Sequence, residues 1–247
     1  YSLNNQLGFM VVGIGIGTEM SINGACAHAF AHIIYKGLLF MSMGAVLYRV
    51  GTTKASELGG LHRTMPYTTI FCIIGAMSIS AFPLMSGFVA KSLITSEAYM
   101  GSSIYLSGTA IAFVLYFASA GVMEHSGIKI PFFAFFAHDS GKRPKEAPWN
   151  MLLAMGIAAF LCIAIGVYPR GLYNLLPYAT DYQPYDVTHV ITQFELLLFA
   201  ALAFGVLLRM GIYPPEKRSV NLDFDWVYRR FIPRIGRSCA GLVTEMW

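Results

Sequence analysis

Apolar residues run along this chain in long blocks instead of alternating with polar ones. The blocks fall at about 6–18, 23–48, 67–82, 84–97, 103–123, 148–168 and 190–209. Unbroken runs of this kind favour helices over the two-residue alternation of a membrane barrel strand. A helix needs roughly 20 apolar residues to cross the hydrocarbon, where only helices and closed barrels satisfy their backbone. The pattern therefore predicts an all-α, polytopic membrane helix bundle. The 84–97 run is short, starts just after Pro83 and contains Gly87, and only Gly101, Ser102 and Ser103 separate it from the next. Either 84–97 and 103–123 are two half-helices of one crossing, or 67–97 is one kinked crossing and 103–123 another. Both return the chain to the same side by residue 124, giving about six crossings with one discontinuous helix.

Composition and charge set the class and the orientation. Of 247 residues, 56% are hydrophobic and 12% charged, about half the charged share of a soluble domain. A soluble enzyme, a secreted disulfide scaffold and a disordered tail are excluded. Cys26, Cys72 and Cys162 lie in apolar runs and Cys239 in a basic tail, with no paired spacing that marks a disulfide framework or a metal knuckle. The chain opens on Tyr1 with no short apolar leader and cleavage site, so it is expected to be a piece of a larger chain. If 50–66 is cytoplasmic, so are 124–147 and everything after 209. Setting aside Lys36 and Lys91, which fall inside spans, and Arg170, opposite beside Asp181 and Asp186, that side holds 14 of the 17 Lys and Arg residues. This is the positive-inside asymmetry. It predicts a transmembrane domain over 1–210 with both ends of the segment cytoplasmic, followed by a basic, aromatic tail over 211–247.

The two lysines inside the spans carry the chemical signal. A charge at the bilayer centre costs about 3 kcal/mol on insertion scales and is placed toward a bundle interior or a wet cavity. His28, His32 and Lys36 recur every four residues, so they share a stripe some 80° wide that rises roughly 12 Å along the helix. Imidazole accepts and donates protons in turn near neutral pH, and a poorly solvated lysine loses its proton more easily than a free one. Water-bridged groups of this kind can pass a proton without a pore for larger ions. The two histidines also have the spacing of metal ligands on one helix face. No Glu lies between them, however, and the next turn brings a cation, so no metal is expected. Lys91 follows Pro83 and Gly87, a sequence that predicts a helix break near mid-membrane, where transporters hold ions.

These motifs, in their order and spacing, resemble a known family. Tyr1–Ser2 with Gln6–Leu7–Gly8–Phe9, the His28, His32, Lys36 ladder ending Gly37–Leu38–Leu39–Phe40, Gly59–Gly60–Leu61 with Met65–Pro66, and Pro83 with Ser86–Gly87–Phe88–Val89–Ala90–Lys91 resemble the proton-translocating antiporter-like family. Its members include large subunits of Mrp-type multisubunit Na⁺/H⁺ antiporters and antiporter-like subunits of respiratory complex I. The likeness covers residues 1 to about 95. The stretch Leu222–Asp223–Phe224–Asp225–Trp226–Val227–Tyr228–Arg229 resembles the tail of the D-type group of Mrp large subunits.

The resemblance implies two inverted five-helix repeats around a polar axis at the membrane midplane, with this chain as the second repeat, the C-terminal half of a subunit. It implies that Lys91 is the lysine of the broken helix, in the half of the relay connected to the periplasm. His28, His32 and Lys36 then lie on the central helix that links the two half-channels. The first repeat, with its Glu–Lys pair, lies outside this sequence, so the implied path is not complete here. The implied activity is proton and monovalent cation translocation, Na⁺ foremost, within a multisubunit Na⁺/H⁺ antiporter of the cell inner (plasma) membrane. The implied partners are other subunits, protons, cations and membrane lipids, without a cofactor and without enzymatic chemistry of its own. One alternative is a proton-pumping subunit of an NADH:quinone or related oxidoreductase complex, which makes the chain part of a proton-translocating oxidoreductase. A metalloenzyme built on His28 and His32, or a non-conducting membrane scaffold, are alternatives of other classes.

The remaining polar residues are weaker signals. Glu124 and His125 are expected to end a span, as a solvated terminus or a proton exit. Glu195, a few residues into the last span, is expected to be an interfacial anchor or a contact to a partner subunit. His62 and His138 fall in cytoplasmic loops and His189 at the opposite surface, with no role assigned. Arg229, Arg230, Arg234 and Arg237 interleave with Phe224, Trp226, Phe231 and Ile232, which beside a span reads as docking on anionic lipid or a subunit, not as nucleic-acid binding. No glycine-rich phosphate loop, Ser/His/Asp set or haem motif occurs.

Overall fold

The computed structural model describes residues 2–101, 106–212 and 224–237, all helix or connecting loop with no strand among them. Tyr1, Ser102, Ser103, Lys217, Arg218, Leu222, Asp223, Cys239 and Trp247 lie outside the described residues. Among the described residues of the first unit, seven helices exceed ten residues: α1 (Ser2–Ile16), α2 (Glu19–Val50), α3 (Pro66–Ile79), α4 (Ser86–Gly101), α5 (Leu106–Val122), α6 (Trp149–Val167) and α7 (Val187–Arg209), with a short helical turn at Pro169–Tyr173. Among the described residues, four stretches are long and apolar enough to cross a membrane unaided: Glu19–Val50, Gly108–Phe136, Trp149–Val167 and Val187–Arg209.

Local chemistry fixes the ends. At the start of α2 the Thr18 hydroxyl accepts from Ser21 N at 3.1 Å while Ser21 Oγ accepts from Thr18 N at 3.0 Å, a reciprocal cap. The helix stops at Gly51, whose φ of 81° closes the last turn onto Leu47 O. Asp186 caps α7 by accepting from Thr188 N at 3.1 Å. The cap of α3 is long-range: Glu146 accepts from Tyr67 N at 2.8 Å and from Thr68 Oγ1 at 2.6 Å. A carboxylate at a helix N-terminus also meets the positive end of its dipole.

The break falls between α3 and α4, so the kinked 67–97 arrangement describes it, with halves at Pro66–Ile79 and Ser86–Gly101. Ala81 (φ 57°) and Leu84 (φ 70°) hold left-handed backbone there, at a cost of about 1–3 kcal/mol each. Surrounding packing enforces it: a Cβ at Gly87 would collide with the Ser78 carbonyl, and one at Gly166 with the Leu84 carbonyl. From Ser86 to Thr95 every residue of α4 is buried. It lies against α2, α5 and α6, and α2 also meets α1 and α3. Small residues (Gly24, Ala27 and Ala31 on α2, Ala90 on α4) permit that approach. Phe30 and Phe40 on α2, Phe117 on α5, Phe160 on α6 and Phe199 on α7 face outward.

One expectation fails. Residues 124–147 are not all loop, because α5 continues as helix through Phe136. Glu124 and His125 therefore sit inside a helix, not at its end. Their polarity, with Lys129 and Pro131 close behind, imitates a loop. The chain instead widens to π turns, in which Lys129 N reaches Glu124 O and Ala137 N reaches Phe132 O. Wide turns accommodate Pro131, which has no N–H to give. A second unit, Glu216–Trp247, is described over 224–237. It is helical around Val227–Phe231, with an Asp225–Arg229 ion pair at 3.7 Å and Trp226 stacked on Phe231.

Candidate functional site

The break creates the environment of Lys91. Where α3 ends, its last carbonyls have no helical partner, and the Lys91 ammonium donates to Ile79 O at 2.8 Å. A cation at a helix C-terminus also meets the negative end of the dipole. Gln193 Nε2 on α7 donates to the next carbonyl, Ser80 O, at 3.4 Å. Ser78 and Ser86 share a hydroxyl–hydroxyl bond of 2.8 Å across the gap. Lys91 is 3% exposed, so its charge meets protein and not lipid. Beside it lies a small chamber with about 10 Å³ of room for water, enough for about one molecule. Ser92, Thr95, Tyr116, Ser119, His189 and Gln193 contribute its polar walls. His189, expected at the surface, is half-buried here, with its ring against Phe88 and in the chamber wall.

The histidine ladder faces the same interior. His28 is fully buried and His32 is 7% exposed. Their rings stack at 6.3 Å between centroids. His28 Nε2 lies 3.1 Å from Gln6 Oε1, to which it donates in its Nε2–H tautomer, and Tyr35 O–H donates to the same oxygen at 2.9 Å. His28 Nδ1 and His32 Nε2 are buried without a protein partner among the described residues. Phe9 of α1 stands between the ladder and Lys91. Its ring stacks on His28 at 5.8 Å, and the Lys91 ammonium lies 5.1 Å from its centroid. At the other end Lys36 is half-buried, donating to Ser2 Oγ at 3.1 Å, and Ser2 Oγ in turn accepts from Ser126 Oγ at 3.0 Å.

The structure therefore brings Lys91, His28 and His32 together, with Lys36 one turn further along α2. Glu124, His125 and Glu195 stand apart. His125 is exposed, although it also lines a pocket with Ser2, Ser126 and Lys129. Glu195 is exposed on α7. Gln6, Phe9, Tyr35, His189 and Gln193 take no role from the sequence pattern alone. Gln6 and Gln193 are detectable as lone amides in apolar runs, whereas the placement of Phe9 depends on how α1 docks. No group of three or more His, Cys, Asp or Glu residues able to hold a metal occurs among the described residues.

Residues 1–117 match the family described as NADH:quinone oxidoreductase/Mrp antiporter, TM. NADH-ubiquinone oxidoreductase chain 5 of Talaromyces marneffei is 31% identical over 218 residues, covering 85% of this chain and 32% of that protein. The D-type subunit of the Na(+)/H(+) antiporter of Alkalihalophilus pseudofirmus is 35% identical over 112 residues, 45% of this chain and 23% of its own length. A chain of the Mrp complex from Dietzia sp. DQ12-45-1b superposes with a TM-score of 0.71 at 23% identity, over 97% of this chain and 27% of the other, and so shares the fold. The chain spans roughly a third of the length of the curated relatives it matches.

Proposed function

Because the chain belongs to the proton-translocating antiporter-like family of NADH:quinone oxidoreductase and Mrp antiporter membrane subunits, we propose that it carries protons, in exchange for a monovalent cation, within a multisubunit Na⁺/H⁺ antiporter of the plasma membrane. The observation that carries this reading is one buried file of titratable groups, Lys91, His28 and His32, leading to Lys36 and walled from lipid by α1, α2 and α4. Lys91 takes and releases the proton at the helix break, where the Ile79 carbonyl holds its charged form. Water passing Phe9 links it to His28, and proton exchange at both ring nitrogens carries the proton on to His32 and Lys36. Phe9 makes the link conditional: while its ring fills the gap, the two halves are separated. The basic face, with Lys54, Arg63 and Arg143, is cytoplasmic. Glu195 contacts a neighbouring subunit, and the 211–247 tail docks on anionic lipid or a subunit.

Replacing Lys91 with Ala in the full-length subunit, within its complex, is expected to lower pH-driven cation exchange in vesicles by about 100-fold, the scale of a lost acid–base group, while assembly persists. Unchanged flux refutes the assignment. The extent of the likeness to NADH-ubiquinone oxidoreductase chain 5, 85% of this chain against 45% for the D-type antiporter subunit, favours as a second reading the same relay driven by a redox complex. Proton uptake that requires electron transfer to a quinone and is indifferent to Na⁺ selects that reading over the first.

A further inference from the structure

A polar pocket of about 410 Å³ opens on the face opposite the basic loops, with room for roughly ten waters. Its rim carries Arg170, Asn174, Thr180 and Asp181, and its floor includes Tyr173 and Tyr182. Both floor phenols reach the backbone of α4 on either side of Lys91. Tyr173 O–H donates to Val89 O at 3.1 Å, and Tyr182 O–H lies within 3.5 Å of Ser92 O and 2.6 Å from Ser96 Oγ. Ser92 also lines the Lys91 chamber from within. A hydroxyl-bearing stretch of α4, Ser92, Thr95 and Ser96, thus runs from the chamber to the pocket, and the half-buried Tyr182 ring lies at the boundary. The connecting loop is pinned in place, since Asn23 bonds both backbone groups of Tyr178, at 2.7 and 3.0 Å.

We propose that this pocket is the aqueous mouth through which Lys91 exchanges its proton with the outer phase, and that Tyr182 is its gate. The proposal rests on the reading of Lys91 as a proton carrier. With the phenol bonded to α4, the wide pocket and the one-water chamber are separate. When the ring swings toward Asp181 and Thr180, Ser92 and Ser96 become the continuous wall of a hydrated passage. Bulk and hydrogen bonding both hold the gate shut, so removing the hydroxyl loosens it and removing the ring opens it.

The test places a cysteine at Ser92, in a cysteine-free full-length subunit within its complex, and measures its reaction with a membrane-impermeant quaternary-ammonium methanethiosulfonate added to either side. Labelling from the side opposite the basic face should be slow with Tyr182 present, several-fold faster in Tyr182→Phe, and at least tenfold faster in Tyr182→Ala. Ser96→Cys, half-buried beside the same phenol, serves as the second probe should Ser92→Cys fail to assemble. Equal rates in all three backgrounds, or labelling only from the basic face, overturn the gate. Labelling reports access whether or not Lys91 carries the proton. In a separate arm, the passive proton leak gained in Tyr182→Ala should vanish in the Tyr182→Ala, Lys91→Ala double variant. A persisting leak with the labelling order intact removes Lys91 from the path while leaving the gate.

Discussion

The two ends of the buried file hold the same chemical group, a lysine ammonium, by different means. At the Lys91 end the partner is a backbone carbonyl, Ile79 O, which is free only because the helix is broken there. Three neighbouring elements close around it, and strained residues at Ala81 and Leu84 keep the break open. At the Lys36 end the partner is a side-chain hydroxyl, Ser2 Oγ, itself held by Ser126, and the lysine is half-buried. A backbone ligand cannot be removed by changing one side chain, and a desolvated charge depends on it fully. A hydroxyl ligand near the surface can be replaced by water. The first end is therefore part of the fold, and the second is adjustable.

The sharpest way to break the comparison is through glycines at the two ends. Gly87→Ala puts a methyl group into the Ser78 carbonyl, whereas Gly37→Ala, beside Lys36, meets nothing within 4 Å. The first is expected to abolish assembly of the full-length subunit. The second should raise its thermal stability slightly, since Ala favours helix by about 1 kcal/mol over Gly. Size-exclusion chromatography and thermal melts of the complex check both. A smaller contrast lies in the polar partners. Gln6→Leu deprives both His28 Nε2 and Tyr35 O–H of their shared acceptor. It should slow exchange roughly tenfold, as about 1.4 kcal/mol of barrier would. Ser2→Ala should change exchange by about twofold at most, because water can serve Lys36 in its place. Comparable losses in the two variants contradict the distinction.

The smallest effect is expected outside the membrane. Arg143 binds Asp139 through two hydrogen bonds of 2.8 and 2.6 Å. That guanidinium, with the Gly141 N–H, holds the Asp139 carboxyl well below the usual carboxylate range. A depressed carboxylate contributes its pairing at every pH above about 3.9 and loses it only as the pH falls further. Asp139→Asn should therefore leave the profile of exchange between pH 6 and 9 unchanged. A shifted profile in that variant moves the pH dependence away from the relay and into the loop.

Much of this is readable from the residues in order. The apolar blocks locate the spans, the four-residue spacing puts His28, His32 and Lys36 on one face, and Pro83 with Gly87 marks the break to within a few positions. What is not readable is tertiary or concerns unusual backbone. The helix runs past Glu124 because π turns absorb Pro131, and no propensity argument signals that. His189 and Gln193 lie about 100 residues from Lys91 in sequence, and only the packing of α7 brings them to its chamber. Phe9 reads as one more apolar residue until α1 docks and places its ring between the lysine and the first histidine.

The most direct measurement compares Lys91→Ala, His28→Ala and the double variant in the full-length complex, recording pH-driven cation flux in vesicles. Groups acting in series on one path predict a double variant no slower than the slower single variant. A double variant whose losses multiply would mean that Lys91 and His28 serve separate routes, and the connected relay would be wrong.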